Sequence, residues 1–188
     1  MHSRPMTQPL RSVSAPQPGP AGQPGETPGR SFLMTSPWAF LALGFGAGLA
    51  PFWPGTFGSL LGLALAWPLR WLSPAIQLAL LAASFVIGIW ACERTGRALA
   101  SPDASVIVWD EVVGMAAVAL LAPPGLGWSV AGFVAFRFFD IVKPWPINVV
   151  DRRLRNGLGV MLDDALAAVY AVVSLAAASL MANYLKAG

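Results

Sequence analysis

Beyond about residue 30 the chain is dominated by apolar residues that come in long runs rather than in alternating stripes. Two runs, Pro74 to Cys92 and Ala165 to Leu185, are long enough to cross a bilayer: at 1.5 Å per residue each covers about 30 Å, the thickness of a hydrocarbon core. A shorter run, Phe57 to Leu72, predicts a helix paired with the Pro74 helix through a tight turn at Leu72-Ser73-Pro74, which puts Arg70 at the far interface. Val112 to Ala122 and Trp128 to Phe139, joined by Pro123-Pro124-Gly125, are too short alone. They reach spanning length only by extending into their polar flanks, so that Asp110 and Glu111 belong to one helix and Asp140 to the other. The polar stretches Pro51 to Thr56, Glu93 to Trp109 and Lys143 to Leu162 then fall on one side. The pattern predicts an all-α, polytopic membrane helical bundle.

Residues 1–30 differ from the rest. They are rich in Pro, Gly, Ser and Gln with almost no large apolar side chains, a composition that cannot offset the entropy of ordering. A disordered tail is expected there, without the apolar stretch of a secretory signal, and a membrane-embedded domain over 31–188. Arg4, Arg11 and Arg30 in the tail, with Arg94, Arg97, Arg152, Arg153 and Arg155 in the polar loops, place that side in the cytoplasm by the positive-inside bias. Tryptophans predict two interfacial belts: Trp67, Trp71 and Trp128 by the turns, and Trp53, Trp90, Trp109 and Trp145 by the polar segments.

Composition narrows the function. The chain is 56% hydrophobic and 11% charged, where soluble domains carry about 25% charged residues. A formal charge of +3 from scattered basic residues predicts no nucleic-acid partner. The single cysteine, Cys92, excludes an intrachain disulfide and reads as a small buried hydrophobe. His2 is the sole histidine and lies in the tail, so chemistry in the folded part runs without imidazole.

Eight of the nine acids lie between Glu93 and Asp164, and six form three groups: Asp110-Glu111, Asp140 with Asp151, and Asp163-Asp164. Carboxylates this close to lipid are costly and usually face a polar cavity or one another. The three-residue spacing of Arg137, Asp140 and Lys143 lines one helix face with possible ion pairs. An all-oxygen ligand set without Cys or His suits a hard cation such as Mg²⁺. Lys143, Arg152 and Arg153 beside it imply an anion as well, and phosphate meets that need. Gly55-Thr56 and Gly58-Ser59, at the start of the Phe57 helix, offer an anion site at a helix N-terminus. Each element also has a structural reading: Asp163-Asp164 as a first-turn charge, Lys143-Pro144-Trp145-Pro146 as a helix stop, Thr56 and Ser59 as caps, and Glu93, Arg94 and Arg97 as a solvated helix end. The joint occurrence at one membrane face favours a site.

At these residues the chain resembles the phosphatidylglycerophosphatase A family of bacterial membrane phosphatases. Four stretches carry the resemblance, from about Pro37 to Val173: "GFGAGLAPFWPGTFGSL", "DASVIVWDEVVGM", "FRFFDIVKPWPINVVDRR" and "GLGVMLDDALAA". The chain has Asn156-Gly157 where the family often shows paired glycines, and Ala168 where it often shows glycine. The resemblance implies Mg²⁺-dependent hydrolysis of phosphatidylglycerophosphate, a phospholipid held in the bilayer, to phosphatidylglycerol and phosphate in the bacterial cytoplasmic (inner) membrane. Asp110, Glu111, Asp140, Asp163 and Asp164 are then the expected metal ligands. Asp140, Lys143, Asp151, Arg152 and Thr56 are the expected catalytic residues, with Gly55, Thr56, Ser59, Lys143 and Arg152 binding the substrate. The alternative is a divalent-cation transporter or channel, against which stands the clustering of acids at one face. A CDP-alcohol phosphotransferase would need the "D-x-x-D-G-x-x-A-R" signature, which is missing.

Overall fold

The computed structural model describes residues 36–101 and 104–187. The tail expected over residues 1–30, with His2, Arg4, Arg11 and Arg30, lies outside them. The described residues are helical and contain no strand: α1 Pro37–Ala42, a 3-10 segment Gly44–Leu49, α2 Pro54–Leu69, α3 Pro74–Ala98, α4 Trp109–Leu121, α5 Leu126–Val142, α6 Ile147–Arg153 and α7 Gly157–Ala187. Two helices, α3 and α7, are long and apolar enough to cross a membrane. The protein is an all-α membrane protein.

Helix α4 is the centre of the bundle, packed against α2, α3, α5 and α7. Its 13 residues span only about 20 Å. Its neighbours enclose most of it: Val112, Met115, Val118 and Ala119 are all buried, and Leu121 at its end is exposed. The close approach of α2 depends on a face without side chains. A methyl group added at Gly58 would come within 2.8 Å of Val108 Cβ, and one at Gly62 would run into the Val112 carbonyl. Small residues at such crossings let backbones meet, the packing mode favoured where lipid removes the hydrophobic drive between helices.

Two apolar clusters result. One joins Leu43, Cys92, Val106, Ile107, Trp109 and Met161; the other joins Met115, Val118, Phe136, Ile147, Ala167 and Ala171. Asp163 and Asp164 occupy the interval on α7 between Met161 of the first and Ala167 of the second, so the polar site lies where the two clusters meet.

Several expected boundaries move. The Phe57 helix starts at Pro54 and ends at Leu69, because Pro54 fits a first helical position and Pro68 withholds an amide from the last turn. The loop expected over Glu93 to Trp109 begins only after Ala98. Most of the loop expected over Lys143 to Leu162 is helical as well: Ile147, fully buried, anchors α6, and α7 starts at Gly157 rather than Ala165. Asn156 accepts a bond from the Gly159 amide at 3.0 Å and Glu93 one from the Gly157 amide at 2.6 Å. These bonds satisfy amides that a helix start leaves open. Glu93 is therefore a cap for α7, though it also pairs with Arg97 at 2.7 Å. Trp109 leaves the expected interfacial belt; it is buried, and its indole N–H donates to the Ser84 carbonyl at 3.2 Å. Trp53, Trp67, Trp71, Trp90 and Trp145 are exposed. Arg94 lies over the rings of Trp38 and Trp90, 5.4 and 4.9 Å from their centroids, and so ties α1 to α3.

Candidate active site

Three helix ends converge on the site. Asp110 and Glu111 stand in the first turn of α4, Asp140 in the last turn of α5, and Asp163 and Asp164 in the second turn of α7. The acids of α7 are thus not its first-turn charges. One carboxylate oxygen each from Asp110, Glu111 and Asp164 lies within 4.8 Å of the others. Asp110 Oδ1, Glu111 Oε2 and Asp164 Oδ2 are buried without a hydrogen-bond partner, as are Thr95 Oγ1 and Asn148 Oδ1 elsewhere. A buried carboxylate oxygen left open is expensive. Three such residues brought together make a cluster that can hold a metal ion, and the donors, all hard oxygens, fit a hard cation. Cys92 does not join them; its Sγ lies 3.9 Å from Met161 Sδ.

Asp140 is held differently. Arg137, one turn earlier on α5, places NH1 2.6 Å from Asp140 Oδ2 and 3.8 Å from Glu111 Oε1. This guanidinium offsets part of the charge at the edge of the group. Gly55, in the first turn of α2, backs the same pair: an added Cβ would sit 3.1 Å from Arg137 NH1 and collide with the Glu111 carboxylate.

Lys143 organises a second group. The spacing predicted that it would share a helix face with Arg137 and Asp140, but α5 stops at Val142 and Lys143 takes a left-handed conformation, φ 45° and ψ 61°. That conformation costs about 1–2 kcal/mol outside glycine and swings the side chain toward α6 and α7. Its Nζ lies 2.5 Å from Asp151 Oδ1 and 2.6 Å from Asp163 Oδ2. Burial opposes the charge on Lys143, yet the bonds and charges of Asp151 and Asp163 outweigh it and hold the ammonium above its usual pKa. The Tyr170 hydroxyl donates to the Trp145 carbonyl at 2.9 Å and fastens the turn to α7.

The two groups meet on α7, where the Asp164 amide donates to Asp163 Oδ1 at 3.0 Å. Beside the Lys143 group opens a cavity of about 290 Å³, bordered by Asp151, Arg152, Arg155, Gly159, Asp163 and Ser101. Arg152 is exposed there. Arg155 and Ser101 belong to this wall although nothing in their sequence context marks them. Thr56 lies in the first turn of α2 rather than in a preceding loop, next to Gly55. Ser59 is fully buried, and its hydroxyl donates to the Gly55 carbonyl at 2.9 Å.

The geometry defines a class: a membrane protein with a carboxylate cluster that can hold a cation, near a pocket lined by two arginines and two aspartates. Residues 40–179 match the family model described as Phosphatidylglycerophosphatase A. The chain is 44% identical to the phosphatidylglycerophosphatase A of Haemophilus influenzae, over 78% of this chain and 91% of that protein. It is 40% identical to the Escherichia coli phosphatidylglycerophosphatase A, over 72% of this chain and 80% of that one. A Bacteroides thetaiotaomicron protein with the provisional name phosphatidylinositol-3-phosphatase is 37% identical, over 73% and 91%. No solved structure matches the chain. The chain belongs to the phosphatidylglycerophosphatase A family, and it is a phosphoric monoester hydrolase. Between the two readings left open by the residues, enzyme and transporter, family membership decides for the enzyme.

Proposed function

We propose that the protein hydrolyses phosphatidylglycerophosphate to phosphatidylglycerol and inorganic phosphate, as a Mg²⁺-dependent step of bacterial phospholipid biosynthesis at the cytoplasmic face of the inner membrane. The observation that carries this reading is the set of three unpartnered carboxylate oxygens on helices that also bring Lys143 to Asp163, at the edge of a pocket lined by Asp163, Arg152 and Arg155. In this reading residues 31–188 form one multi-pass phosphatase domain, with residues 1–30 as an appended tail.

Asp110, Glu111 and Asp164 are the first candidates to hold Mg²⁺, with Asp140 and Asp163 at the margin. Bound there, the ion would supply Lewis-acid polarisation of the phosphoryl group, and water is the attacking group in this reading. Lys143 and Arg152 bind the terminal phosphate by charge-assisted bonds. Asp151 holds Lys143 in place, and a carboxylate of the cluster accepts the proton of the attacking water. Gly55 and Thr56 bring the first turn of α2 against the site, where the Gly55 amide and the Thr56 hydroxyl can orient a phosphate oxygen; Ser59 supports that turn through Gly55. The acyl chains stay in the bilayer throughout.

The test is phosphate release from phosphatidylglycerophosphate in detergent micelles by purified protein, with Mg²⁺ or with chelator, for wild type and Asp140→Asn. Release that requires both the ion and Asp140 supports the reading. A folded wild type that releases nothing with any divalent cation refutes it. Phosphatidylinositol 3-phosphate belongs in the same assay, since the Bacteroides relative's name makes it the competing headgroup.

A further inference from the structure

A second cavity runs between α3, α4 and α7, with a volume of about 330 Å³. It extends along α4 from Asp110 to Leu121, roughly 17 Å of helix. Its walls are apolar, and small residues leave room between the helices: Ala82 on α3, Gly114 and Ala117 on α4, and Ala165 on α7. Leu78, Val169 and Val173 border it while exposed on the bundle's outer surface. Its sole charged lining residue is Asp110, which also belongs to the carboxylate centre.

From these features we infer that the groove seats one acyl chain of the lipid being hydrolysed, with the headgroup end at Asp110 and the methyl end toward Leu121. The inference rests on the proposed lipid substrate. Three observations select this occupant. The groove reaches the site at one end only, where Asp110, a member of the carboxylate cluster with an unpartnered buried oxygen, lines it. Its length of about 17 Å matches one leaflet, half of a hydrocarbon core of about 30 Å. Dividing 330 Å³ by that length gives a section on the order of 20 Å², wide enough for a polymethylene chain. A helix about 10 Å across would need a section several times larger. Because the bilayer is as apolar as the groove, the chain gains little free energy of transfer on entering. What the groove contributes is orientation of the headgroup at the site.

The test compares hydrolysis of long-chain diacyl phosphatidylglycerophosphate with that of its deacylated, water-soluble headgroup phosphate. Ala82→Trp and Ala165→Phe fill the groove from opposite walls. Ala83→Trp puts the same indole on the next residue of α3, about 100° around the helix, exposed and outside the groove. Lost positioning lowers kcat/KM for the diacyl lipid, relative to the headgroup, on the order of tenfold in both filled variants, while Ala83→Trp keeps the wild-type ratio. If either filled variant folds and holds that ratio within about twofold, the groove does not seat the substrate's chain. It then takes a bystander lipid or none, and the inference falls while the assigned reaction stands. A wild type that hydrolyses neither substrate refutes the assigned reaction and the inference together.

Discussion

Asp164→Asn should inactivate the protein and at the same time make its metal-free form more stable. The three carboxylates of Asp110, Glu111 and Asp164 bring oxygens within 4.8 Å of one another. At that separation two unit charges repel by about 3.5 kcal/mol for an effective dielectric of 20. Neutralising Asp164 removes two of the three repulsions, about 7 kcal/mol before any relaxation. Proton uptake by crowded carboxylates, water entry and side-chain rotation in the cation-free protein discharge most of this, and about 2 kcal/mol is expected to survive, or roughly 4–8 °C in Tm for a chain of this size. Thermal unfolding in detergent with chelator should therefore place the variant above wild type. Adding Mg²⁺ should raise the wild-type Tm by linkage and leave the variant nearly unmoved, and phosphate release should fall to background. A variant less stable than wild type in chelator would refute the reasoning, because the acids would then form a self-satisfied polar network rather than a cation centre.

Other outcomes follow from the neighbouring contacts. Lys143→Met leaves Asp151 and Asp163 without their shared cation; losing these partly buried pairs should cost about 3 kcal/mol, read by chemical unfolding, and phosphate release should drop on the order of a hundredfold, with Lys143→Arg restoring more stability than activity. Glu93→Ala removes the acceptor of the Gly157 amide and should lower stability by about 1 kcal/mol with kcat within about twofold of wild type, so a drop in kcat alone would argue against a capping role. Gly55→Ala drives a methyl group against the Glu111 carboxylate and Arg137; activity should fall at least about tenfold with little change in far-UV circular dichroism, and unchanged activity would show that α2 does not back the site.

How much of this was legible in the sequence depended on whether a signal was local. The spans around Pro74 and Ala165 were legible because an apolar run declares itself, and so was the extension of α4 and α5 into their acids, since neither is long enough otherwise. The gathering of Asp110, Glu111, Asp140, Asp163 and Asp164 at one end of the bundle followed from those two facts. Lys143 was misplaced because helical spacing holds only while the helix continues, and a left-handed residue before Pro144 ends it. The early start of α7 was hidden for a different reason. Its cap comes partly from Glu93, 64 residues away, and no local pattern reports a partner so distant. The burial of Trp109 and the pocket wall formed by Arg155 and Ser101 are likewise products of packing.

The paired acids on α7 show why one carboxylate would not serve. Consecutive helical residues point about 100° apart, so Asp163 and Asp164 face two different groups from one turn. Asp163 reaches Lys143, while Asp164 joins Asp110 and Glu111. In the proposed mechanism that turn links the carboxylates that would hold the cation to the ammonium that binds the phosphate. Rotation or register shift of α7 would move both at once, which keeps their spacing constant. The capping of α7 by Glu93 and Asn156 sets that register from a point less than two turns away. The residues that fix the helix start thus stabilise the element that carries both acids, although none of them touches the site.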